Sequence, residues 1–434
     1  SDRAIARQME FESTRKDFPV LAREFDGRPL IYLDNACMTL KPRPVIAAMQ
    51  DYYEQLGSCA GRSVHKLGVE VTVRVDEVRE KVAKFLGARE KSECIYTRNT
   101  TEGINLVARG LHLDKGDVVL TTDFEHNSNL APWHLMRRLR GIEHEAVKSN
   151  EDGSFDIENL KEAVSRRRGK VKLLSMVHTS NLNGITIPAR EVAEVAHDAG
   201  ALLMLDAAQS VPHKPVDVRK LGVDFLACSV HKMCGPTGMG LLFVAAEHQP
   251  SVEPFIVGGD TVRHATIDDT SFLGAPNKWE AGLQNYAGII GTGAAIDYLE
   301  KIGRPEIAAH ETSLNRAITK GLAGLDGISV IGPQDPAARG GIFSFNLEGA
   351  DPHDIALALD ESANIAIRSG THCVHSFFNA RGLRGSARAS CYFYNTRSEA
   401  ERFVEELTRL ADAFRKGKRH HARPAPMSGH PEAS

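Results

Sequence analysis

Lys232 lies where a lysine is chemically unusual, between two apolar runs of the chain. Residues 223–227 before it and residues 241–245 after it are mostly apolar, and the segment between them is rich in glycine. Apolar runs of this kind are typical of buried strands, and glycines leave room for a ligand. Burial disfavours an ammonium ion, so the amine can become neutral and condense with a carbonyl compound. The alternative is a surface lysine in an ordinary glycine-rich turn.

Asp206 and Gln209 follow another apolar run, residues 202–205, and indicate which carbonyl compound is involved. Pyridoxal phosphate is the aldehyde that enzymes most often hold on a lysine. A carboxylate at the end of a buried strand needs a partner, and the protonated pyridine nitrogen of this cofactor would be one. Gln209 could reach the ring hydroxyl. The alternative for Asp206 is a structural carboxylate that accepts hydrogen bonds from loop N–H groups.

Two further segments offer groups for such a cofactor. Residues 97–105 join a predicted strand to a helix, and Thr100 or Thr101 is expected to cap that helix. Free N–H groups at a helix N-terminus bind phosphate, although an ordinary capping residue is the simpler interpretation. His126 follows a third apolar strand. Its ring could stack on a flat cofactor and take part in proton transfer, or serve only a structural role.

A cysteine and an arginine near the C-terminus could act on a substrate. Residues 372–386 contain four arginines or histidines and few large aliphatic side chains, which predicts an exposed, electropositive loop. Such surroundings favour the thiolate form of Cys373, which is the nucleophilic form. His372, Cys373 and His375 have weak spacing for a metal site, so we predict no metal. Arg388 begins a predicted strand and could bind a substrate carboxylate through two parallel hydrogen bonds.

Composition restricts the class of protein. The chain has 434 residues, 42% hydrophobic and 25% charged, with a formal net charge of −3. This is typical of a globular enzyme and gives no case for binding nucleic acid or a membrane surface. No apolar run approaches the roughly 20 residues of a spanning helix, and residues 1–15 lack the apolar core of a secretory signal, so a cytoplasmic location is expected. The seven cysteines include no C-x-x-C pair, and most are expected to be buried as small apolar residues.

Strand and helix patterns alternate between residues 93 and 245, which predicts an open α/β sheet. The predicted strands are apolar throughout, as in parallel strands covered on both faces. Ligands bind at the carboxyl ends of such strands, where the polar residues described above cluster. The predicted strands are residues 31–34, 93–96, 118–122, 172–177, 202–206, 225–230, 241–245, 328–331, 342–347, 365–368 and 387–394, and the predicted helices include residues 101–109, 157–164, 188–199, 304–325, 352–359 and 399–416.

A change of pattern near residue 295 predicts a second, smaller domain, because long helices there alternate with fewer strands. The last residues are polar and rich in proline and histidine, which predicts disorder. The predicted division is an N-terminal helical arm (1–30), a large α/β domain that binds the cofactor (31–295), a small α+β domain that carries the Cys373 loop (296–417) and a disordered tail (418–434).

Short motifs, in their order along the chain, resemble those of a known family. They are YLDNA (32–36), TTEGIN (100–105), EHNSN (125–129), HTSN (178–181), DAAQ (206–209), HK (231–232), GPTG (235–238), RSGTHC (368–373), RAS (388–390) and YNT (394–396). The chain resembles the fold-type I, class V aminotransferase-like enzymes, and among them the group II cysteine desulfurases of the SufS and selenocysteine lyase type. The resemblance implies an α/β fold-type I transferase that depends on pyridoxal phosphate, with a mostly parallel seven-stranded sheet and a smaller α+β C-terminal domain.

The resemblance also implies a role for each matching residue. Lys232 would hold pyridoxal phosphate covalently and remove the α-proton of the substrate, and Cys373 would accept the substrate's sulfur. The residues implied to bind the cofactor are Lys232, Asp206, Gln209, His126, Thr100, Thr101, Ser229, His231 and Asn181. Those implied to bind the substrate are Arg388, Asn181 and Arg368, and those implied to be catalytic are Cys373, Lys232 and His126.

The implied activity is the conversion of L-cysteine to L-alanine, with a persulfide formed on Cys373. The sulfur would pass to an acceptor protein, as in iron–sulfur cluster assembly, and the enzyme would be a homodimer. Selenocysteine is a second possible substrate. The alternatives are a selenocysteine or C–S lyase, an amino-acid epimerase or aminotransferase of the same class, and a cofactor-binding scaffold without turnover.

Three positions depart from the family pattern. Leu283 stands where a threonine usually follows the motif EAG (280–282) and helps the neighbouring subunit to bind phosphate. Gly61 stands where group II members tend to have a histidine, and Thr371 replaces the first histidine of the usual His-His-Cys. These departures leave the phosphate contact and the substrate preference open.

Overall fold

A seven-stranded sheet forms the centre of the protein, whose residues 11–420 are described by a computed structural model. The strand Gly240–Val244 runs antiparallel to both of its neighbours, and the other six strands run parallel to one another. The predicted α/β class with a mostly parallel seven-stranded sheet is therefore confirmed. In sheet order the strands are Cys94–Thr97, Gly240–Val244, Phe225–Ser229, Leu202–Asp206, Val171–Val177, Val118–Thr122 and Glu143–Val147.

Both faces of this sheet are covered. In the strand Val118–Thr122 every residue is buried, and Val118 and Leu120 pack into one hydrophobic core while Val119 packs into another. Successive side chains of a strand point to opposite faces, so a strand between two cores is apolar throughout. The helices of this part are Arg43–Asp51, Lys66–Leu86, Thr100–Gly110, Ala131–Arg140, Ile157–Arg166, Ala189–Asp198, Val218–Leu221 and Tyr286–Ile302.

A four-stranded antiparallel sheet forms the C-terminal part of the chain, with a core of its own that includes Phe345, Leu359 and Phe403. In sheet order its strands are Ile328–Val330, Ile342–Leu347, Ser386–Ser390 and Arg368–Gly370. Its helices are Arg304–Leu322, Pro352–Ala363, His375–Ala380 and Arg397–His420. Among the described residues, no helix is both long and apolar enough to cross a membrane.

The N-terminal segment is tied to this second sheet region. The strand Ile31–Tyr32 pairs in parallel with Ile365–Ala366, and Asp34 forms a bridge with Ser390. These contacts position the following turn, residues 35–37, at the carboxyl edge of the large sheet. Ala36 and Cys37 of this turn line the site described below. Two short hairpins complete the strands, Glu24–Phe25 with Arg28–Pro29 and Val262–Ala265 with Thr270–Phe272.

The apolar strands of the large sheet were predicted to within one residue at each end, and those at 118–122 and 202–206 have the observed bounds. The strand Glu143–Val147 was missed because it lies at the edge of the sheet and is mostly polar. The prediction at 387–394 was wrong beyond residue 390, since residues 391–395 turn away and bury three aromatic side chains. The strand predicted at 365–368 is two short strands, because residue 367 separates pairing with two different partners.

The predicted division into an arm, two domains and a tail stays a prediction. The helix Tyr286–Ile302 runs through the predicted boundary at residue 295. The helix Arg397–His420 continues beyond its predicted end and includes residues 418–420 of the predicted tail. The rest of that tail, 421–434, and the first ten residues of the predicted arm lie outside the described residues.

Candidate active site

A cavity of about 250 Å³ lies at the carboxyl ends of the parallel strands, and every residue predicted to bind cofactor or substrate lines it. The sequence pattern predicted that His126, Asp206 and Lys232 would meet at one sheet edge, and the family resemblance implied the other members of a set that is spread over almost 290 positions of the chain. The predicted residues that line the cavity are Thr100, Thr101, His126, Asn181, Asp206, Gln209, Ser229, His231, Lys232, Arg368, Cys373 and Arg388. Further lining residues that sequence reasoning did not select include Cys37, Asn99, Ser128 and Thr179.

Lys232 follows the strand Phe225–Ser229, in a short turn that begins at Val230. The side chain is half-buried, and burial is the largest influence on its amine, lowering its pKa. The Asp206 carboxylate opposes this effect and the Arg388 guanidinium adds to it. The amine is therefore easier to deprotonate than that of an ordinary lysine, which is the property that Schiff base formation needs.

Asp206 ends the strand Leu202–Asp206 and is buried. Its Oδ1 accepts a hydrogen bond from the Ala208 N–H at 3.0 Å. Burial raises the pKa of Asp206, while the Ala208 N–H and Lys232 lower it. Gln209 donates from Nε2 to the Ala36 carbonyl at 2.6 Å, and its buried Oε1 has no hydrogen-bond partner among the described residues.

The helix Thr100–Gly110 points its N-terminus at the cavity. Its cap was predicted at Thr100 or Thr101, which is wrong, because Asn99 is the capping residue and accepts from the Glu102 N–H at 2.9 Å. Thr100 and Thr101 are thereby free to face the cavity. The two threonine hydroxyls lie against serine hydroxyls of neighbouring elements, Thr100 Oγ1 2.6 Å from Ser229 Oγ and Thr101 Oγ1 2.7 Å from Ser128 Oγ.

Gly240 makes this position of the helix possible. A Cβ atom on Gly240 would lie 2.6–2.7 Å from backbone atoms of Asn99, closer than side chains approach backbone. Glycine at the start of the strand Gly240–Val244 therefore lets the capping residue sit directly against the sheet. Four hydroxyl groups and the helix N-terminus then meet at one end of the cavity, as in an anion site.

His126 follows the strand Val118–Thr122, and its Nδ1 accepts a hydrogen bond from the Ser128 N–H at 3.1 Å. Burial lowers the pKa of His126 to about 3, with Lys232 and Arg388 adding to the shift. Its ring is thus neutral near pH 7, which suits stacking on a flat cofactor and does not suit the role of a proton donor. The adjacent Glu125 is buried and fixes the segment through bonds from Val177 N and Asn129 Nδ2.

Arg388 is buried and its guanidinium is only partly engaged. Nη1 donates to the Asn181 carbonyl at 2.9 Å, Nη2 lies 3.5 Å from Asp34 Oδ1, and Nε has no partner among the described residues. Burial lowers the pKa of Arg388 and Asp34 raises it. Arg368 shares the same carboxylate, with Nη2 3.1 Å from Asp34 Oδ2. Two guanidinium groups around one carboxylate leave positive charge for an anionic ligand.

Cys373 lies on a loop that is held from both sides. Its carbonyl accepts from the Asn127 N–H at 2.7 Å, and the preceding carbonyl, of His372, accepts from Asn181 Nδ2 at 2.8 Å. His372 and Cys373 both have left-handed backbone angles, with φ of 51° and 59°. Such angles are costly for residues other than glycine and recur at functional sites. The Cys373 side chain is exposed.

The prediction that residues 372–386 form an exposed loop is wrong in two places. His372 is 6% exposed, because it packs near Phe378 and bonds through Nε2 to Ser386 Oγ. Residues His375–Ala380 form a helix that buries Phe377 and Phe378. The two aromatic side chains were the signal for burial. Within the described residues, no group of three or more potential ligand side chains could hold a metal ion.

Residues 31–403 match the family described as aminotransferase class-V. A probable cysteine desulfurase from Synechocystis sp. is 41% identical over 91% of this chain and 94% of its own length, and a cysteine desulfurase from Haloferax volcanii is 36% identical over 94% and 98%. The chain belongs to the class-V aminotransferase family, in its cysteine desulfurase branch.

Solved structures agree with this assignment. An apo cysteine desulfurase from Thermococcus onnurineus NA1 superposes with a TM-score of 0.87 at 36% identity, over 93% of this chain and 98% of the other. The cysteine desulfurase CsdA from Escherichia coli superposes with a TM-score of 0.84 at 31% identity, over 94% and 98%. The predicted family, fold type and enzyme class are confirmed, and so is pyridoxal phosphate, the cofactor that this family uses.

Proposed function

We propose that this protein converts L-cysteine to L-alanine and leaves the sulfur as a persulfide on Cys373. The observation that carries the proposal is that an exposed thiol, an amine with a lowered pKa and a partly engaged arginine line one cavity. An enzyme that only transfers an amino group has no use for the thiol. The names of the full-length relatives support the same substrate.

The residues around the cavity suit pyridoxal phosphate. The unpartnered Gln209 Oε1 and the second carboxylate oxygen of Asp206 are available for the ring, and the hydroxyls at the N-terminus of Thr100–Gly110 suit the phosphate. Lys232 would hold the aldehyde, with His126 over the ring and Ser229, His231 and Asn181 beside it. When bound, the ring withdraws electrons from the substrate α-carbon.

Binding and deprotonation of the substrate are assigned to four residues. The free Nε of Arg388, with Arg368 beside it, attracts the substrate carboxylate and orients the amino acid. The Lys232 amine removes the α-proton, and burial favours this role because it lowers the pKa of the amine. Asp206, buried close to Lys232, balances the positive charge of the ring nitrogen.

Sulfur transfer is assigned to Cys373. Its thiolate attacks the substrate sulfur, a new S–S bond forms on Cys373, and the Cβ–S bond of the substrate breaks. The carbon keeps the electron pair of that bond and takes a proton, so that alanine is the final carbon product. Because the loop is anchored by Asn127 and Asn181, the thiol is presented to the cavity by side-chain rotation with little movement of the backbone.

Mass analysis after a brief incubation with L-cysteine tests this proposal. The peptide that contains Cys373 is expected to gain one sulfur atom while alanine forms. A Cys373→Ala variant is expected to keep the yellow colour of bound cofactor and to lose alanine formation from cysteine. Unchanged alanine formation in that variant would instead indicate a lyase or another class V reaction.

We also propose that the enzyme is a homodimer that passes sulfur to a separate acceptor protein, as in iron–sulfur cluster assembly. Large apolar side chains are exposed on this chain, among them Val64, Ile267 and Leu283, at 94%, 102% and 70%. Leu283 and Ile256 line one cavity of about 450 Å³ next to Arg98, close to the helix that begins at Thr100. Adjoining exposed apolar side chains, such as Leu283 and Ile256, are typical of an interface. Sedimentation equilibrium of the purified protein distinguishes a dimer from a monomer.

A further inference from the structure

A second thiol, that of Cys37, lines the same cavity as Cys373 and Lys232. Cys37 is half-buried, whereas four other cysteines of the described residues are fully buried, and exposed Cys59 does not line the cavity. Buried thiols in apolar surroundings are inert, but a thiol open to a polar cavity can react. The reaction described so far uses only Cys373.

The surroundings of Cys37 are those of a reactive sulfur atom. Arg368 donates from Nη2 to Cys37 Sγ at 2.7 Å, while the same guanidinium pairs with Asp34. Although burial lowers the pKa of Lys232, both Cys37 and Cys373 raise it, so each thiol lies within electrostatic reach of the same amine. A sulfur atom in contact with a guanidinium group can carry negative charge as it attacks or leaves.

Both thiols are carried by fixed backbone. Ahead of Cys37, the Ala36 N–H donates to Ser390 Oγ at 2.9 Å and the Ala36 carbonyl accepts from Gln209 at 2.6 Å. The Cys37 N–H itself donates to the Asp34 carbonyl and closes a turn. Cys373 is held through its carbonyl by Asn127. The two side chains therefore border the same small volume from two anchored loops.

Unpartnered polar atoms border this volume as well. Arg388 Nε and His372 Nδ1 belong to residues that are 2% and 6% exposed, and neither atom has a hydrogen-bond partner among the described residues. Both residues line the cavity, alongside the two thiols. Buried donors and acceptors are usually paired, so these two atoms are available to a polar or anionic group in the cavity.

We propose that Cys37 is a second sulfur acceptor, which takes the outer sulfur atom from the Cys373 persulfide. This inference rests on the proposed function. The Cys37 sulfur attacks the outer sulfur of the persulfide, one S–S bond forms on Cys37, and the S–S bond on Cys373 breaks. The thiol proton of Cys37 goes to the Cys373 sulfur. Persulfide and thiol exchange places, so the step needs no oxidant or reductant.

Transfer to Cys37 would regenerate the Cys373 thiol before any acceptor protein arrives. The enzyme could then begin a second turnover with one sulfur atom already held inside the cavity, away from solvent reductants. When no acceptor protein is present, each protomer would store about two sulfur atoms, one on Cys37 and one on Cys373.

The test uses the cofactor-loaded enzyme, a limiting pulse of L-cysteine, and alkylation of all thiols and persulfides at successive times before digestion. Mass analysis is expected to find one added sulfur first on the Cys373 peptide and then on the Cys37 peptide. A Cys37→Ser variant, which is close in size and keeps a hydrogen-bond acceptor for Arg368, is expected to retain sulfur only on Cys373. In a second arm with excess L-cysteine and no acceptor, stored sulfur per protomer should fall about twofold in that variant.

Exposed Cys59 is the internal control for indiscriminate exchange. Sulfur on Cys373 with none on Cys37, or equal labelling of Cys37 and Cys59, would overturn the inference. A cross-linked Cys37–Cys373 peptide would overturn it too, because it means attack on the inner sulfur and release of hydrogen sulfide. Absence of sulfur from Cys373 itself, with no alanine formed, would contradict the proposed function instead.

Discussion

At the scale of single residues, the site combines groups whose charges are shifted by burial. Burial lowers the pKa of Lys232 and raises that of Asp206, so that each group is less ionised than its type would be in water. Burial also lowers the pKa of His126 to about 3, and that of His231 to about 4. A cavity lined by neutral histidine rings, a lysine of lowered pKa and two arginines prefers an anionic ligand, such as pyridoxal phosphate or an amino-acid carboxylate.

Replacing Arg388 tests how the substrate is recognised. An Arg388→Lys variant keeps the positive charge but cannot donate two parallel hydrogen bonds to a carboxylate. We expect the KM for L-cysteine to rise about tenfold or more, which corresponds to about 1.4 kcal/mol, with cofactor colour retained. Arg384→Lys, at an exposed arginine on the same segment, is the matched control and should leave KM unchanged. Steady-state kinetics with an unchanged KM in Arg388→Lys would exclude this role.

Buried histidines also make stability depend on pH, and His178 is a clear case. Its Nδ1 lies 2.8 Å from Ser210 Oγ, and burial lowers its pKa to about 3, with Lys214 adding to the shift. The unfolded chain protonates this histidine below about pH 6.5, whereas the folded protein does not until about pH 3. The stability contribution is therefore complete above pH 6.5 and is lost as the pH falls towards 3.

Burial raises the pKa of Glu125 to about 8, so this group makes the folded protein more stable as the pH falls, opposite to His178. Glu125 is present in both wild type and a His178→Gln variant, so the difference in their stability reports His178 alone. As the pH is lowered from 7 to 5, wild type should lose stability relative to the variant by up to about 1.4 kcal/mol per pH unit. Thermal denaturation of both proteins at a fixed heating rate gives the difference at each pH. Parallel curves over this range would show that His178 titrates normally.

At the scale of elements, the helix Thr100–Gly110 forms the proposed phosphate end of the cavity, because its first turn packs directly against the sheet. Asn99 caps the helix, Gly240 lets that cap approach the strand, and the two threonines that follow face the cavity. The N-terminus of a capped helix carries partial positive charge and free N–H groups. This element would hold the phosphate of the cofactor.

An Asn99→Ala variant should therefore lose two properties together. Removing the cap is expected to destabilise the protein by about 1 kcal/mol and to weaken retention of pyridoxal phosphate during dialysis. Asp156→Ala is the matched control, because Asp156 caps the helix Ile157–Arg166 in the same way and does not line the cavity. It should cost similar stability and leave the cofactor bound. Equal loss of cofactor from both variants would contradict the assignment.

At the scale of the whole molecule, the cavity exists because the two sheet regions are joined around it. The large sheet contributes Lys232 and Asp206, while the C-terminal sheet contributes Arg388 and the loop of Cys373. Asn181 connects the two, donating to the His372 carbonyl and accepting from Arg388. The strand Ile31–Tyr32 pairs with the C-terminal part and delivers Asp34 and Cys37. Any motion of one part against the other would change all these contacts together.

The sequence by itself determined the parallel sheet, the family and most of the residues that line the cavity. Continuous apolar runs identify buried parallel strands. The polar residues that follow such strands lie together, because the carboxyl ends of parallel strands share one edge of the sheet. The sequence reasoning missed the edge strand Glu143–Val147, whose residues are mostly polar, and it placed the helix cap one or two residues too late, at Thr100 or Thr101 instead of Asn99. It also missed the burial of His372, which depends on Phe378 and Ser386. Only the tertiary structure brought Cys37 beside Arg368, across more than 330 positions. Local pattern does not encode contacts at that separation, since packing of the two parts creates them.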